Sequence, residues 1–237
     1  MTLKQILLIT CCLVSCAALA TAKDNTAASS NKGYADVMPS KSGPRLPTAP
    51  GKVVVVEFFS FGCPACYHFE STLEAWEKTK PAYVQFERIP ATFEEGWSSL
   101  ATAYYTAKQL NVADQVTPAL FDAIWKEGKN LSDEAILEQV ITKHSPVTSE
   151  QFKQAYEFSP MMAASVLRGE TLMEAYQVQE IPTLVIDGRY KTSVSLAGSP
   201  EKTIAVLNDL ITKARQSTSV SQGSPKTEKQ PSTVQAQ

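Results

Sequence analysis

The sequence contains few of the residues that hold metal ions or give a protein a strong surface charge. Of its 237 residues, two are histidines and five are cysteines. Zinc is usually held by about four ligands, so one cysteine pair and two separate histidines argue against a metal site. His68 and His144 are predicted to be solvent-exposed, His144 near a helix end. The formal net charge of −2 provides no basic surface that would attract nucleic acid.

Long hydrophobic runs are also lacking. The apolar stretch near the N-terminus extends at most from Ile6 to Leu19, which is too short to span about 30 Å of hydrocarbon as a helix. Residues 1–22 instead have the features of a secretory signal peptide, namely a lysine, an apolar segment and small residues at the end. Export of the protein is therefore expected.

Two ways of processing this segment remain open. The small residues at 20–22 fit a cleavage site that releases a soluble protein beginning at Lys23. The sequence LVSC, which ends at Cys16, resembles a bacterial lipobox. In that case residues 1–15 are removed, and Cys16 carries a lipid that anchors the protein to the membrane.

Two further segments have too little apolar surface to fold. Residues 23–50 are rich in alanine, serine, lysine and proline and are predicted to form a flexible linker. Residues 216–237 have two valines as their only large apolar side chains and are predicted to be a disordered tail. The folded part is therefore expected between about residues 50 and 215.

The folded part opens with an apolar run. VVVVEFFSF, residues 53–61, consists of β-branched and aromatic residues around one charge, Glu57. Because the run lacks period-two alternation and lies between Gly51 and Gly62, it predicts a fully buried central strand of a parallel or mixed sheet. From Cys63 onward, apolar residues recur at helical spacing. We expect a strand, a tight turn and a helix that carries both thiols on its first turn.

The rest of the folded part alternates between strand and helix patterns. A second strand is predicted within residues 81–90, and residues 92–177 have helical periodicity. Strand character returns in PTLVI, residues 182–186, followed by the dipeptide DG and a strand pattern in RYKTSVSL. An Asp-Gly pair between two apolar strands predicts a tight hairpin. An amphipathic helix is then expected to end the folded part.

Cys63 and Cys66 are the only cysteines after residue 16. Cys63 lies at the predicted helix start, where free N–H groups and the helix dipole favour an anion and lower the pKa of a thiol. Pro64 suits an early helical position because it has no N–H to leave unpaired. Cys66 follows almost one turn later, close enough to close a disulfide. The pair predicts a reversible dithiol, and the stabilised thiolate makes its disulfide oxidising.

Glu57, the single charge in the first strand, has two possible roles. Burial beneath the helix would raise its pKa, and it could then take or return the proton of Cys66. Alternatively, Glu57 pairs with a lysine outside the site. The sequence does not decide between a catalytic and a structural carboxylate.

Three segments resemble one known family. They are EFFSFGCPACYHFE at residues 57–70, FEEGWSSLATAYYTAKQLNV at residues 93–112 and IPTLVIDGRY at residues 181–190. They are similar to the active-site segment, the helical insert and the proline loop of the DsbA family of periplasmic thiol:disulfide oxidoreductases. The similarity covers roughly residues 53–210, most of the folded part.

The resemblance implies an α/β architecture with a thioredoxin fold. Residues 51–91 and 178–215 would form the thioredoxin-like domain, and residues 92–177 would be a helical domain inserted between its two halves.

The resemblance also implies roles for individual residues. Cys63 would be the exposed, attacking cysteine, and Cys66 the buried, resolving one. Pro182 would follow a cis peptide bond. Ile181 would face the two thiols, so that its backbone can pair with an extended substrate chain.

Pro64 and Ala65, which lie between the cysteines, would complete the substrate-binding surface. At the position of Ala65 the family usually has histidine. A histidine there can donate to the thiolate or stabilise it electrostatically, and alanine can do neither. We therefore expect a weaker oxidant than relatives that have this histidine.

The implied substrates are reduced, unfolded exported proteins, and the implied partner is a membrane oxidase of the DsbB type that passes electrons to quinone. No metal or organic cofactor is needed, and a monomer is expected because no dimerisation element is visible. Two alternatives stay open. One is an isomerase or reductase kept reduced in the periplasm, and the other is a non-catalytic binding module.

Several aromatic residues and two methionines are predicted to lie in two places. An apolar docking surface around Cys63 is predicted from Phe61, Tyr67, Met161 and Met162. Four aromatic residues at helical spacing are predicted to lie in the core: Trp76, Tyr104, Tyr105 and Trp125.

Overall fold

The structure, a computed structural model, describes residues 32–38, 44–46, 49–157 and 159–222. Within these ranges the strands are β1 (Ala35–Asp36), β2 (Val53–Phe59), β3 (Val84–Pro90), β4 (Thr183–Ile186) and β5 (Tyr190–Ser193). The helices are α1 (Pro64–Thr79), α2 (Trp97–Gln109), α3 (Ala113–Trp125), α4 (Glu134–His144), α5 (Ser149–Tyr156), α6 (Ser159–Ala175), α7 (Val194–Ala197) and α8 (Pro200–Gln222).

The strands form one sheet in the order β1-β5-β4-β2-β3. β2 runs parallel to β3 and antiparallel to β4, and all seven of its residues are buried. The prediction of a buried central strand in a mixed sheet is therefore confirmed. With α1 between β2 and β3, and α2 to α6 between β3 and β4, the architecture is a thioredoxin-like fold with an inserted group of helices.

The side chains of β2 alternate between two apolar clusters. Val53 and Val55 pack on one face of the sheet with residues of α1 and α8. Val54, Val56 and Phe58 pack on the other face with residues of α6. Because both faces are covered, every position of this strand is apolar except Glu57.

A third apolar cluster joins the end of β2 to the inserted helices. It contains Phe59, Phe61, Cys63 and Cys66, together with buried residues of α2, α3, α4 and α5. The two cysteines therefore lie where the sheet, α1 and the inserted helices meet.

The predicted hairpin is present, although its second strand is shorter than expected. Asp187 and Gly188 both have positive φ, 52° and 63°, as a tight two-residue hairpin turn requires. The strand prediction for RYKTSVSL is wrong in its second half. The side chain of Ser193 accepts a hydrogen bond from the N–H of Leu196 and caps the short helix α7.

The structure corrects the predictions for both ends of the folded part. Within residues 23–50, predicted as a flexible linker, Ala35–Asp36 pairs with β5 as an edge strand, and Val37 and Leu46 are buried. At the other end, α8 continues to Gln222, into the segment predicted to be disordered. The predicted signal peptide, Cys16 and residues 223–237 lie outside the described residues. In the part of the chain that is described, no helix combines the length and hydropathy needed to cross a membrane.

Candidate active site

Cys63 occupies the N-cap position of α1, and Pro64 begins the helix. The Sγ of Cys63 accepts a hydrogen bond from the N–H of Cys66 at 3.3 Å. Both cysteines are free thiols. Cys63 is 6% exposed and Cys66 is 1% exposed. The expectation of an exposed Cys63 is therefore wrong for this reduced form, in which Cys63 is merely the less buried of the two.

The two thiols have opposite pKa shifts. Hydrogen bonds from the thiol and the N–H of Cys66, and from the N–H of Ala65, lower the pKa of Cys63 to about 7, although burial opposes them. Burial and the nearby Cys63 raise the pKa of Cys66 well above its usual value. At pH 7 about half of Cys63 is therefore thiolate, whereas Cys66 is protonated.

Gly62 allows the turn before Cys63 to pack tightly against α2. A Cβ atom at Gly62 would lie 2.5 Å from Nε1 of Trp97 and 3.0 Å from Cδ1 of Leu100. Both distances are too short for a side chain to be added without displacing α2. The inserted helices thus help to hold the turn that presents Cys63.

The segment before β4 approaches Cys63 from another part of the chain. The carbonyl oxygen of Ile181 lies 3.7 Å from the Sγ of Cys63. The Ile181–Pro182 peptide bond is cis, as the resemblance implies. Pro182 is buried, whereas Pro64 and Ala65 are exposed between the cysteines. The tertiary structure therefore brings residues 63–66 and 181–182 together, although they are more than a hundred positions apart in the sequence.

Glu57 belongs to a buried cluster of charges. Its Oε2 accepts a hydrogen bond from Nε of Arg88 at 2.8 Å, and Nη2 of Arg88 donates to Glu70 at 3.1 Å. Glu77 lies 3.9 Å from the same nitrogen. The ion pair considered as the alternative for Glu57 is thus present, although its partner is an arginine in the neighbouring strand and not a lysine.

Burial is the largest cause of the pKa shifts in this cluster. It raises the pKa of Glu57, and it raises that of Glu70 to about 8, while Arg88 opposes both shifts. The charge of Glu57 contributes to the raised pKa of Cys66. Glu57 is therefore electrostatically linked to the cysteine pair.

Sequence reasoning missed Arg88 and Glu70. Their signals were present, since Arg88 is a charge in the middle of a predicted strand and Glu70 lies four residues after Cys66 on the buried face of α1. The partner of each could not be identified without knowing how β2, β3 and α1 pack.

The predicted docking surface is only partly correct. Phe61 is 1% exposed and packs edge-on against Phe59 and Phe121. Met162 is also buried, whereas Met161 is exposed. Both methionines line a groove of about 410 Å³ between β3, α2 and α6, whose lining includes no residue of the cysteine motif.

Trp125 was predicted to lie in the core, and this prediction is wrong. It is 38% exposed and stacks on Tyr67, with ring centroids 5.9 Å apart. Its Nε1 donates a hydrogen bond to the carbonyl oxygen of Phe61 at 2.9 Å. Trp76 and Tyr104 are buried as expected. Tyr67 and Trp125, and not Phe61, therefore supply accessible aromatic surface beside the motif.

The two histidines are exposed, as predicted. His144 is the last residue of α4, and its carbonyl oxygen accepts a hydrogen bond from Gln115. Within the described residues, no group of three or more histidine, cysteine, aspartate or glutamate side chains is arranged to hold a metal ion.

Comparisons with known proteins agree with this geometry. The family model described as thioredoxin matches residues 47–202. The thiol:disulfide interchange protein DsbA of Pseudomonas aeruginosa is 36% identical over 174 residues, covering 73% of this chain and 82% of that protein. DsbA of Pseudomonas syringae pv. tomato is 34% identical over 166 residues, which is 70% of this chain and 77% of that protein.

Solved structures agree as well. The crystal structure of Pseudomonas aeruginosa DsbA superimposes with a TM-score of 0.70 at 34% identity, covering 80% of this chain and 95% of that one. DsbA of Xylella fastidiosa gives a TM-score of 0.68 at 26% identity, covering 78% of this chain and 96% of that one. Sequence and structure thus identify the chain as a member of the DsbA family of thiol:disulfide oxidoreductases.

Proposed function

We propose that this enzyme donates the disulfide between Cys63 and Cys66 to reduced, unfolded proteins in the periplasm. The observation that carries the proposal is the opposite pKa shift of two thiols one turn apart, about 7 for Cys63 and well above the usual value for Cys66. Cys63, the less buried thiol with the lower pKa, suits the exchange with the substrate. The more deeply buried Cys66 suits the opening and closing of the enzyme's own disulfide.

In the first step, a substrate thiolate attacks the Sγ of Cys63 in the oxidised enzyme. A bond forms between the substrate sulfur and Cys63, the Cys63–Cys66 bond breaks, and Cys66 leaves as a thiolate. Because its pKa is raised, Cys66 takes up a proton at neutral pH. This protonation disfavours the reverse attack of Cys66 on the mixed disulfide.

In the second step, another thiolate of the substrate attacks the substrate sulfur of the mixed disulfide. The substrate gains a disulfide, and Cys63 is released as a thiolate that its hydrogen bonds stabilise. The substrate loses two electrons, and the enzyme disulfide gains them and becomes a dithiol. A low pKa makes Cys63 the better leaving group.

Glu57 is proposed as the group that exchanges the proton of Cys66, directly or through water. Its support is a pKa raised by burial and the electrostatic link between its carboxylate and Cys66. Arg88 opposes the rise and holds the carboxylate in place. Glu57 thus combines the catalytic and the structural role that the sequence left open.

The substrate chain is proposed to lie over four residues: Pro64, Ala65, Ile181 and Pro182. The contact between the Ile181 carbonyl and Cys63 supports this placement, because a chain paired with that backbone would bring its own cysteine to the attacked sulfur. Pro64 and Ala65 are exposed, which leaves the approach open.

Renewal of the disulfide requires an oxidant, for which we propose a membrane oxidase of the DsbB type that passes the two electrons to quinone. The enzyme would meet it in the periplasm as a monomer, either free or anchored through a lipid on Cys16. Mass spectrometry of the mature N-terminus distinguishes these forms, since Lys23 begins one and lipidated Cys16 begins the other.

The test of function is a single turnover without oxygen. The oxidised enzyme is mixed with a peptide that carries two thiols, and peptide disulfide and enzyme thiols are counted by alkylation and mass spectrometry. One peptide disulfide should form for each enzyme reduced. Cys66→Ala has no disulfide of its own, so it is first converted to the disulfide of Cys63 with glutathione. Mixed with a single-thiol form of the peptide, it should release glutathione and accumulate the mixed disulfide of Cys63 with the peptide, whereas Cys63→Ser treated in the same way should form none. A Cys63→Ser variant that keeps full function in cells would instead indicate a non-catalytic binding module.

The redox state in cells separates an oxidase from an isomerase or reductase. Rapid acid quenching followed by alkylation should find the cysteine pair mostly oxidised. A pair found mostly as free thiols would overturn the proposed direction of electron flow.

A further inference from the structure

The segment that presents Ile181 to Cys63 has an anchor that the exchange mechanism does not use. The side chain of Glu180, the residue before Ile181, accepts two hydrogen bonds at the same oxygen. Ser193 Oγ donates to its Oε1 at 2.5 Å, and Ser195 Oγ donates to that oxygen as well. The backbone oxygen of Glu180 accepts from Oγ1 of Thr183 at 2.7 Å. Glu180 is thus held through both its side chain and its backbone.

The donors themselves belong to fixed parts of the fold. Ser193 is buried, pairs in the sheet opposite Thr183, and accepts the N–H of Leu196 as the cap of α7. The same segment has a second tether, three residues before α7 begins, where Nζ of Lys191 donates to the carbonyl oxygen of Gln177 at 2.5 Å. The chain between α6 and β4 is therefore tied to β5 and to the start of α7.

We propose that Glu180 is a positioning residue, which holds the Ile181 backbone at the distance from Cys63 that lets it pair with the substrate. The inference rests on the proposed function, because it concerns the binding of the substrate chain. Glu180 makes no hydrogen bond to either cysteine and acts through the backbone that follows it.

The contact between the Ile181 carbonyl oxygen and Cys63 decides in which direction loss of the Glu180 hydrogen bonds shifts the pKa of Cys63. A carbonyl oxygen beside a sulfur can accept from a thiol but repels a thiolate, and covering the sulfur also disfavours the charged form. Release of the segment should therefore shift the pKa of Cys63 downward, while the substrate loses its pairing partner. A variant that merely loosens the whole fold has no reason to produce this combination.

The experiment measures the steady-state oxidation of a dithiol peptide, with oxidised glutathione as the terminal oxidant, and the thiolate absorbance of the reduced enzyme against pH. Glu180→Ala should raise KM by about fivefold to tenfold, as loss of hydrogen bonds to a charged group allows, and leave kcat within about twofold. The pKa of Cys63 should fall. Glu180→Gln keeps an oxygen that both serines can reach and should restore KM to within about twofold of the wild type.

Two further variants keep the test decisive if Glu180→Ala folds poorly. Ser195→Ala removes an exposed hydroxyl and should raise KM in the same direction by a smaller factor, and adding it to Glu180→Ala should cause no further change. Glu174→Ala, at an exposed glutamate of α6 outside these hydrogen bonds, is the matched control and should match the wild type.

The proposal is overturned if Glu180→Ala leaves KM and the pKa of Cys63 unchanged. It is also overturned if Glu180→Gln is as impaired as Glu180→Ala, since the negative charge and not the hydrogen bonding would then matter. Failure of the proposed function is distinguishable from both outcomes, because the wild-type enzyme would then not oxidise the peptide at all.

Discussion

The turn around Cys63 and the cluster around Arg88 both bury a charge, and they affect pKa values in opposite directions. Cys63 is a single acceptor approached by several donors, so its pKa falls even though burial opposes the shift. Arg88 is a single cation approached by three carboxylates, so burial prevails and the carboxyl pKa values rise. The number of partners available to each charge, and not burial alone, decides which protonation state is favoured.

The difference also separates the two regions by function. The cysteine turn stabilises a charge that the reaction must form and release. The cluster of Glu57, Glu70 and Arg88 joins β2, α1 and β3, and it places more carboxyl groups than cations in the interior. Substitutions of Arg88 and Glu70 should accordingly affect mainly stability, and substitutions in the turn mainly redox chemistry. Glu57 belongs to the cluster but is electrostatically linked to Cys66, so its substitution should affect the chemistry.

Arg88→Met should have the largest effect, because it leaves Glu57 and Glu70 buried without a cation. Removing one partner of a buried ion pair costs about 3–5 kcal/mol, and urea unfolding near pH 8 should show a loss of that size. Lys78→Met is the control, since Lys78 pairs with Glu74 on the surface and should change stability by about 0.5 kcal/mol at most. Equal losses in the two variants would contradict the importance of the cluster.

The pH dependence of stability should come largely from Glu70. Its pKa is about 8 in the folded protein, against an ordinary value of 4.5. Between these values the folded state binds more protons than the unfolded state, so the free energy of unfolding should fall as the pH rises from about 5 to about 8. Glu70→Gln should flatten this decline. A decline of the same slope in that variant would assign the effect to another group.

Glu57→Gln should affect the chemistry more than the stability. The glutamine cannot exchange the proton of Cys66, and single-turnover oxidation of a peptide should slow by about tenfold, below the usual range for a general base because water can substitute. The pKa of Cys66 should also fall, since the charge of Glu57 helps to raise it. Glu87→Gln, at a half-buried glutamate of β3, is the matched control. A Glu57→Gln enzyme with an unchanged rate would leave Glu57 a structural role only.

Ala65→His should have the smallest effect and tests the turn directly. A histidine would add one more donor for the Cys63 thiolate, so equilibration with glutathione should shift toward the reduced enzyme by up to about tenfold, or about 30 mV. Ala65→Gln controls for the larger side chain without the charge. An unchanged potential in Ala65→His would show that the backbone N–H groups already stabilise the thiolate fully.

Features that depend on neighbouring residues could be predicted from the sequence. The apolar run of β2, the cysteines at the start of α1 and the DG hairpin each follow from periodicity or turn chemistry over a few residues. The helices between β3 and β4 were recognisable for the same reason. The resemblance of three segments to the DsbA family then predicted how these elements are arranged, including the approach of Ile181 to Cys63.

Features that depend on contacts between residues far apart in the sequence were missed or predicted wrongly. Glu57 and Arg88 are 31 positions apart and meet only because β2 and β3 pair in register. The edge strand β1 lies in a segment of low complexity, and it forms because β5 offers unpaired backbone groups. Phe61 and Trp125 have similar hydrophobic character, and only the packing of α3 buries one and leaves the other half exposed.

The sequence by itself determined which atoms react, because a cysteine at a helix N-terminus with a second cysteine one turn later is a local arrangement. The tertiary structure decided how these atoms are tuned and approached. The donors around Cys63, the carboxylates around Arg88, and the Glu180 hydrogen bonds that hold Ile181 depend on distances between segments remote in the chain. Electrostatic and hydrogen-bond energies change steeply over an ångström or two, so local patterns cannot specify them.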